Sequence, residues 1–101
     1  MFIYQVEISI QKEVEKEWLK FMQHKHLDDV VNTGCFVAKQ MYKKVDDIPH
    51  ESTTTYIMNY KANSKEDIDN YFRNYATTLR EEVHQLFGGK FSAKRAILEI
   101  L

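Results

Sequence analysis

The sequence predicts an α+β fold in which two helices cover one face of a four-stranded antiparallel sheet. Three observations lead to this prediction. Apolar and polar residues alternate at the N-terminus, two segments carry apolar residues at helical spacing, and two others are rich in β-branched and aromatic residues. The resulting order is β-α-β-β-α-β. Because β-α-β units cross over right-handedly, both helices are expected on one sheet face, which is the ferredoxin-like sandwich.

The N-terminal part is predicted to form a strand and then a long helix. Alternation over residues 2–10 places five apolar side chains on one face, namely Phe2, Tyr4, Val6, Ile8 and Ile10. From Gln11 onward the spacing is helical, and an apolar stripe recurs at intervals of four, at Val14, Trp18, Met22 and His26. One helix face is therefore expected to carry three large apolar groups and one imidazole.

The middle of the chain is predicted to form a hairpin. Residues 35–45 form its first strand, with the aromatic residues Phe36 and Tyr42 on one parity. Residues 46–51 form a loop containing Pro49, which cannot donate a hydrogen bond to a strand. The second strand covers residues 53–61 and places a common set of large side chains on one face, namely Tyr56, Met58 and Tyr60.

The C-terminal part is predicted to form a helix and a strand. Ser64 and Asp67 have the spacing of a capping box, and apolar residues follow at helical intervals as far as Phe87. Thr77 and Thr78, with Glu81 following, are expected to re-cap this helix and divide it in two. Gly88-Gly89 is expected to end it, and residues 90–101 form the last strand.

Composition is typical of one soluble globular domain and excludes several classes of function. The 101 residues are 44% hydrophobic and 29% charged, with a formal net charge of −1. Such a charge does not attract nucleic acid or an anionic membrane. The N-terminus lacks the basic residues of a signal peptide, and no apolar run is long enough to span a bilayer. We therefore expect a cytoplasmic protein with neither nucleic-acid nor membrane partners.

The sequence contains no convincing metal or cofactor motif. His24 and His26 are two residues apart, so on a helix they point in nearly opposite directions and cannot bind one metal ion. His24, His50 and His84 are expected to be exposed. Cys35 is the single cysteine and is expected to be a buried, inert thiol. We predict neither a metal nor a cofactor.

Four residues are candidates for binding a ligand: His26, Arg80, Arg95 and Tyr56. His26 is expected either to hydrogen-bond the backbone or a carboxylate at the end of the core, or to lie at the mouth of a pocket between helix and sheet. Arg80 is expected to bond a helix end or carboxylate, or to direct its guanidinium into a cleft as an anion-binding group. Tyr56 belongs to a set of periodic aromatic residues, which are usually core.

The position of Arg95 depends on which face of the last strand it occupies. Arg95 and Glu99 are expected on one face of this strand, and the apolar residues Ala96, Leu98 and Ile100 on the other. If the last strand lies beside the first, Glu7 or Gln5 is expected to reach Arg95 across the open sheet face, as a cross-strand pair.

The same element order occurs in families that the residues exclude. An RNA-recognition motif would carry a basic strand containing glycine, whereas residues 54–60 contain no Lys, Arg or Gly. An acylphosphatase-like site would need a glycine-rich loop after the first strand, and residues 10–13 contain no glycine. A dimeric α/β-barrel enzyme is not excluded, because such a site uses scattered polar residues in an apolar cavity.

Several residues along the chain fall in the order and rough spacing of one bacterial family. They are Trp18-Leu19, His26, Val30, Thr33-Gly34-Cys35-Phe36, Thr55-Tyr56, Tyr60, Tyr71, Leu79-Arg80 and Ala93-Lys94-Arg95. In these positions the chain resembles the domain-of-unknown-function family numbered 4286. The resemblance implies a ferredoxin-like domain, similar to dimeric α/β-barrel proteins, with no established activity. Asp28 and Thr77 stand where the family tends to have proline, which affects the expected local turns.

Three functions are compatible with these observations. The leading hypothesis is a homodimeric binding or accessory domain that holds a small apolar or anionic ligand. The second is a small dimeric α/β-barrel enzyme, a cofactor-free oxygenase or isomerase, with His26 as acid or base. The third is a structural module for protein interaction. The homodimer is expected to form through a strand edge or through the open sheet face, which carries Ile3 and Ile57 among polar residues.

Overall fold

The computed structural model describes residues 1–46 and 52–101. Within them lie four strands: β1 (Phe2–Gln11), β2 (Ala38–Lys43), β3 (Thr53–Ala62) and β4 (Phe91–Glu99). The strands pair antiparallel in the order β2-β3-β1-β4. The predicted sheet, with its last strand beside its first, is confirmed. The predictions for Pro49 and His50 fall outside the described residues.

The first helical layer is continuous but changes its geometry along its length. A 3₁₀ turn (Lys12–Val14) leads into α1 (Glu15–Phe21), a π-helical segment (Met22–His26) and α2 (Leu27–Val31). The π geometry is closed by a backbone hydrogen bond from the N–H of Leu27 to the carbonyl of Met22. A π turn fits one more residue into a turn than an α-helix does. His26, the last residue of this segment, and Leu27, which follows it, are both buried.

The second helical layer consists of α3 (Lys65–Asn74) and α4 (Ala76–Phe87). The hydroxyl of Ser64 accepts a 3.2 Å hydrogen bond from the N–H of Asp67, so the predicted N-terminal cap is confirmed. The predicted division into two helices is also confirmed. Its predicted cause is wrong, because the break lies at Tyr75 and no threonine side chain caps α4.

The end of α4 requires glycine for a steric reason. A Cβ at Gly88 would lie 2.5 Å from the carbonyl oxygen of His84, and Gly89 has a φ of +79°. Both conditions favour glycine over any L-residue with a side chain. The chain can therefore turn directly from α4 into β4.

The core lies between the helices and one face of the sheet. Tyr4, Val6, Ile8 and Ile10 of β1 are all buried, which confirms the predicted alternation. Trp18 is fully buried and packs against Tyr56 of β3 with ring centroids 5.1 Å apart. Tyr56, Met58 and Tyr60 are buried as predicted for a common face.

One prediction for β2 is wrong. Phe36 is buried, whereas Tyr42 is half exposed and lies on the opposite sheet face. The reason is a bend at Val37, because β2 starts only at Ala38. The alternation of a strand cannot be extended backwards through such a bend.

The sheet face without helices is partly apolar. Ile3 and Ile57 are half-buried there, and Leu98 of β4 pairs with Ile3. Polar side chains on this face bond to each other, with 3.0 Å hydrogen bonds from Gln5 to Asn59 and between Ser9 and Thr55. We call this surface the open face. Among the described helices, none has the length and apolar character that crossing a membrane requires.

Candidate functional site

A cavity of about 40 Å³ lies between the sheet and both helical layers. Half of the side chains that line it are apolar, contributed by β1, β3, β4, the π-helical segment, α2 and α4. Three kinds of polar side chain also line it: histidine, tyrosine and arginine. Of the described residues, no aspartate or glutamate lines the cavity. We call it the central cavity.

His26 enters this wall from the end of the π-helical segment. Only 8% of its surface is exposed, and its Nδ1 atom is buried without a hydrogen-bond partner in the described part of the chain. Burial lowers the pKa of His26 to about 4, which outweighs the opposite effect of Asp29 and Glu82. The imidazole is therefore neutral at neutral pH. Among the described residues, the expected bond from Nδ1 to the backbone or to a carboxylate is absent.

The charges nearest His26 are bound to each other on the surface. Nζ of Lys25 lies 2.6 Å from a carboxylate oxygen of Asp29 and 3.0 Å from one of Glu82. This ion pair joins the first helical layer to α4 beside His26. Because its charges are exposed and paired, it leaves His26 in a largely apolar setting.

Arg80 of α4 has no carboxylate partner among the described residues and instead contacts aromatic groups. Its Nη2 donates a 3.0 Å hydrogen bond to the hydroxyl of Tyr4, and its guanidinium lies 5.6 Å from the ring centre of Phe72. Tyr4 packs edge-on against the same ring at 5.1 Å. These contacts hold the guanidinium in the cavity wall.

Arg95 lies on the helix-covered face of the sheet, so the expected pairing with Glu7 or Gln5 is wrong. It pairs with Val6 of β1, whereas Glu7 pairs with Lys94. Arg95 lines the central cavity and is exposed. Because β4 is an edge strand, we place the mouth of the cavity on this side.

Tyr60 and Tyr71 contribute hydroxyl groups to the same wall. Burial raises the pKa of both phenols, and neighbouring tyrosines add to the effect. For Tyr71, Arg80 and Arg95 act in the opposite direction and lower the pKa. Both guanidiniums are thus close enough to one buried phenol to affect its ionisation.

Tyr56 lies outside the central cavity. Its hydroxyl donates a 2.6 Å hydrogen bond to Glu15, and the same carboxylate accepts a 3.0 Å bond from Thr54. Burial, followed by the bond to Glu15, raises the pKa of Tyr56. The contacts tie α1 to β3 and are structural. The structure therefore brings together three of the four candidate residues, His26, Arg80 and Arg95.

Four polar residues of the cavity had not been predicted to lie at a site: Tyr4, Tyr60, Tyr71 and His84. Tyr4 had been assigned to the core by alternation, and His84 had been expected to be exposed. His84 is exposed, as expected, and packs against Phe91 with ring centroids 5.2 Å apart. The available signal was spacing, because His84 follows Arg80 by one helical turn. His24 is exposed and Cys35 is buried, both as expected.

The arrangement favours binding of an anion over binding of a metal. Within residues 1–46 and 52–101, no three His, Cys, Asp or Glu side chains are grouped in a way that could hold a metal ion. Two guanidiniums line the cavity while no carboxylate of the described residues does, so the wall has a positive potential, which its apolar part strengthens. An anionic group with a small apolar part is the complementary ligand.

The family model for the domain of unknown function DUF4286 matches residues 1–101. The chain belongs to this family. The resemblance identified from the residues is therefore confirmed over the whole sequence. No curated protein sequence gives a significant match to this DUF4286 domain.

Solved structures share the fold at low sequence identity. A dimeric ferredoxin-like protein from an uncultured marine organism is 14% identical, with a TM-score of 0.71 over 100% of this chain and 95% of the other. An ethyl tert-butyl ether D (EthD) family protein from Bacillus halodurans is 10% identical, with a TM-score of 0.68 over 100% of both chains. An antibiotic biosynthesis monooxygenase is 8% identical, with a TM-score of 0.68 over 100% and 99%. The DUF4286 domain thus has the ferredoxin-like fold.

Proposed function

We propose that this domain binds a small organic anion in the central cavity, with the anionic group directed toward Arg80 and Arg95. The observation that carries the proposal is that two guanidiniums line the cavity, whereas no aspartate or glutamate among the described residues does. Arginine binds carboxylates through charge-assisted and often bidentate hydrogen bonds. A bound carboxylate would satisfy donors that the protein itself leaves available.

The size of the cavity limits the part of the ligand that it encloses. A water molecule needs roughly 10–15 Å³ of such space. The 40 Å³ present therefore corresponds to about three water-sized groups, which is the size of a carboxylate. Any larger apolar part of the ligand would extend toward the mouth beside Arg95.

We further propose that the domain is a homodimer and that the open face forms the interface. A fold relative is described as dimeric. The open face also carries half-buried Ile3 and Ile57 together with Leu98, which is 42% exposed. Four of its polar side chains are already bonded in pairs, Gln5 with Asn59 and Ser9 with Thr55, which lowers the cost of covering them.

The enzymatic alternative has support from one fold relative, which is described as a monooxygenase. In this alternative, His26 acts as acid or base on a substrate in the central cavity. A general base works best when its pKa is near the working pH. Because the pKa of His26 is about 4, it is a weak base, and ligand binding is the better-supported function. A cavity with polar groups in its wall also favours ligand binding over a purely structural module.

A titration followed by NMR tests the proposed function. Acetate and the neutral isostere acetamide are each added to the full chain, and amide shifts around the cavity are recorded. We expect acetate to bind and acetamide to bind at least about tenfold more weakly, because charge-assisted bonds are about twice as strong as neutral ones. Arg95→Gln should weaken acetate binding, whereas Arg73→Gln, an exposed arginine on α3, should not. Equal binding of both compounds contradicts the proposal.

A further inference from the structure

We infer that the central cavity takes the carboxylate of an aromatic acid, whose ring lies outside the enclosed space against His84 and Phe91. This inference rests on the proposed function and names the class of ligand. The carboxylate lies toward Arg80 and Arg95, as proposed above, and the ring occupies the mouth of the cavity.

The lining residues that are not buried come from two elements only. Arg80 and His84 lie on α4, and Phe91 and Arg95 lie on β4, whereas the other residues that line the cavity are buried. His84 follows Arg80 by one helical turn, and Phe91 and Arg95 lie on the same, helix-covered face of β4. The mouth is therefore a cleft between α4 and β4.

The two ends of this cleft differ in chemistry. At one end His84 and Phe91 are in contact, with ring centroids 5.2 Å apart and ring planes inclined by 43°. The two guanidiniums form the other end, because Arg80 and Arg95 both act on the same phenol, that of Tyr71. One helical turn, ~5.4 Å, separates Arg80 from His84 along α4. A carboxylate joined directly to a ring spans a distance of this order, so one small molecule can contact both ends.

The ring needs space that the enclosed 40 Å³ does not provide, and the cleft supplies it. Counted with its part open to solvent, the hollow comes to about 470 Å³. His84 is exposed and Phe91 is only partly buried, so a ligand can cover both rings. The carboxylate therefore takes the enclosed part of the site, and the ring takes the open part.

The groups around the cleft favour an aromatic ring over an aliphatic one. Imidazole, phenyl and guanidinium groups are all planar π systems, and an aromatic ring stacks on each of them. Arg80 already makes such a contact within the protein, because its guanidinium lies 5.6 Å from the ring centre of Phe72. An aliphatic group of the same size gains only from the apolar area that it buries. Aromatic acids are therefore the class of ligand that complements both ends of the cleft.

The test compares benzoate with cyclohexanecarboxylate, which carries the same carboxylate on a six-membered ring that is not aromatic. Both are titrated into the full chain and followed by NMR. Wild type should bind benzoate about threefold to tenfold more tightly, the effect of an aromatic contact beyond the area that it buries. His84→Leu keeps an apolar side chain without the aromatic ring, at an exposed position, and should reduce this preference at least about twofold. His24→Leu, which is also exposed and lies outside the cavity lining, should keep it.

Benzamide, the uncharged counterpart of benzoate, separates this inference from the proposed function. It should bind at least about tenfold more weakly than benzoate. If benzamide binds as tightly as benzoate, or if neither acid binds, the inference and the proposed function are both wrong. If the two acids bind equally well in wild type, or if His84→Leu keeps the full preference, the aromatic-acid inference is wrong and anion binding stands.

Should His84→Leu fail to fold, nuclear Overhauser effects in the wild-type complex with benzoate give the answer. Effects between the ring protons of benzoate and those of His84 and Phe91 support the inference. Their absence at saturating benzoate overturns it.

Discussion

The hydroxyl of Tyr4 accepts a 3.0 Å hydrogen bond from Nη2 of Arg80, which lies 76 residues further along the chain. The bond joins the central strand β1 to α4 across the wall of the central cavity. It is supported by Phe72, which contacts both the phenol ring and the guanidinium. Arg80 is thereby held in position before any ligand binds, which reduces the ordering cost of binding.

Replacing Tyr4 by Phe tests this relationship. Loss of the acceptor should lower the free energy of unfolding by about 1.5–3 kcal/mol, the range for a hydrogen bond to a charged group. Acetate affinity should also fall, because Arg80 becomes mobile. Urea denaturation and the acetate titration measure the two effects. Tyr42→Phe, at a position 50% exposed, is the control, and equal losses in both variants would show that the bond has no special role.

Trp18 is the largest fully buried side chain of the core. Trp18→Ala should cost about 3–5 kcal/mol, through lost burial and the cavity that remains. This is a large part of the stability of a small domain. Chemical denaturation gives the value. Leu86→Ala, at a position 57% exposed, should change stability by less than about 0.5 kcal/mol, and a similar small effect for Trp18→Ala would contradict the assigned core.

The lowered pKa of His26 predicts a loss of stability in mild acid. The unfolded chain binds a proton near pH 6.5, whereas the folded chain binds it only near pH 4. Between these values the unfolded state carries more protons, so stability falls as pH falls. The loss is about 3 kcal/mol when complete, from a shift of about 2.5 pKa units.

Denaturation at a series of pH values measures this slope. His26→Gln should remove the part that lies between about pH 6.5 and pH 4. His24→Gln, at an exposed position of the same helical layer, should retain it. An identical slope in wild type and His26→Gln would mean that His26 is not buried in its neutral form.

The proposed homodimer is tested by two matched leucine substitutions. Sedimentation at micromolar concentration should give twice the monomer mass of 12.0 kDa. Leu98→Lys places a charge on the open face and should shift the protein to monomer, because an unpaired charge in an interface is strongly unfavourable. Leu86→Lys, on the exposed surface of α4, should leave the dimer intact. A monomeric wild type would rule out the open-face interface.

The sequence was sufficient to predict the fold because its periodic patterns are strong. The alternation in β1 and the capped helix after Ser64 identified their elements directly. Which residues of β4 face the helices was not predictable, because each of its two faces carries both apolar and charged side chains. Phe91 and Arg95 share one face, and Lys94 and Leu98 share the other. Only the pairing register places Arg95 opposite Val6 and hence in the cavity wall.

The site was predicted only in part. Helical spacing predicted that His26 lies on a buried stripe, and Arg80 was a candidate for a cleft-directed cation. The π-helical segment that ends at His26 and the unpaired Nδ1 of this residue leave no mark in the apolar pattern of the sequence. Likewise, the bond between Tyr4 and Arg80 is a long-range contact that spacing along the chain does not encode.

A crystal structure of the protein soaked with acetate tests the central claim most directly. The account predicts acetate in the central cavity, with a carboxylate oxygen about 2.8 Å from a guanidinium nitrogen of Arg80 or Arg95. A cavity that contains only water at saturating acetate, with both arginines bonded to carboxylates of the protein instead, would contradict it.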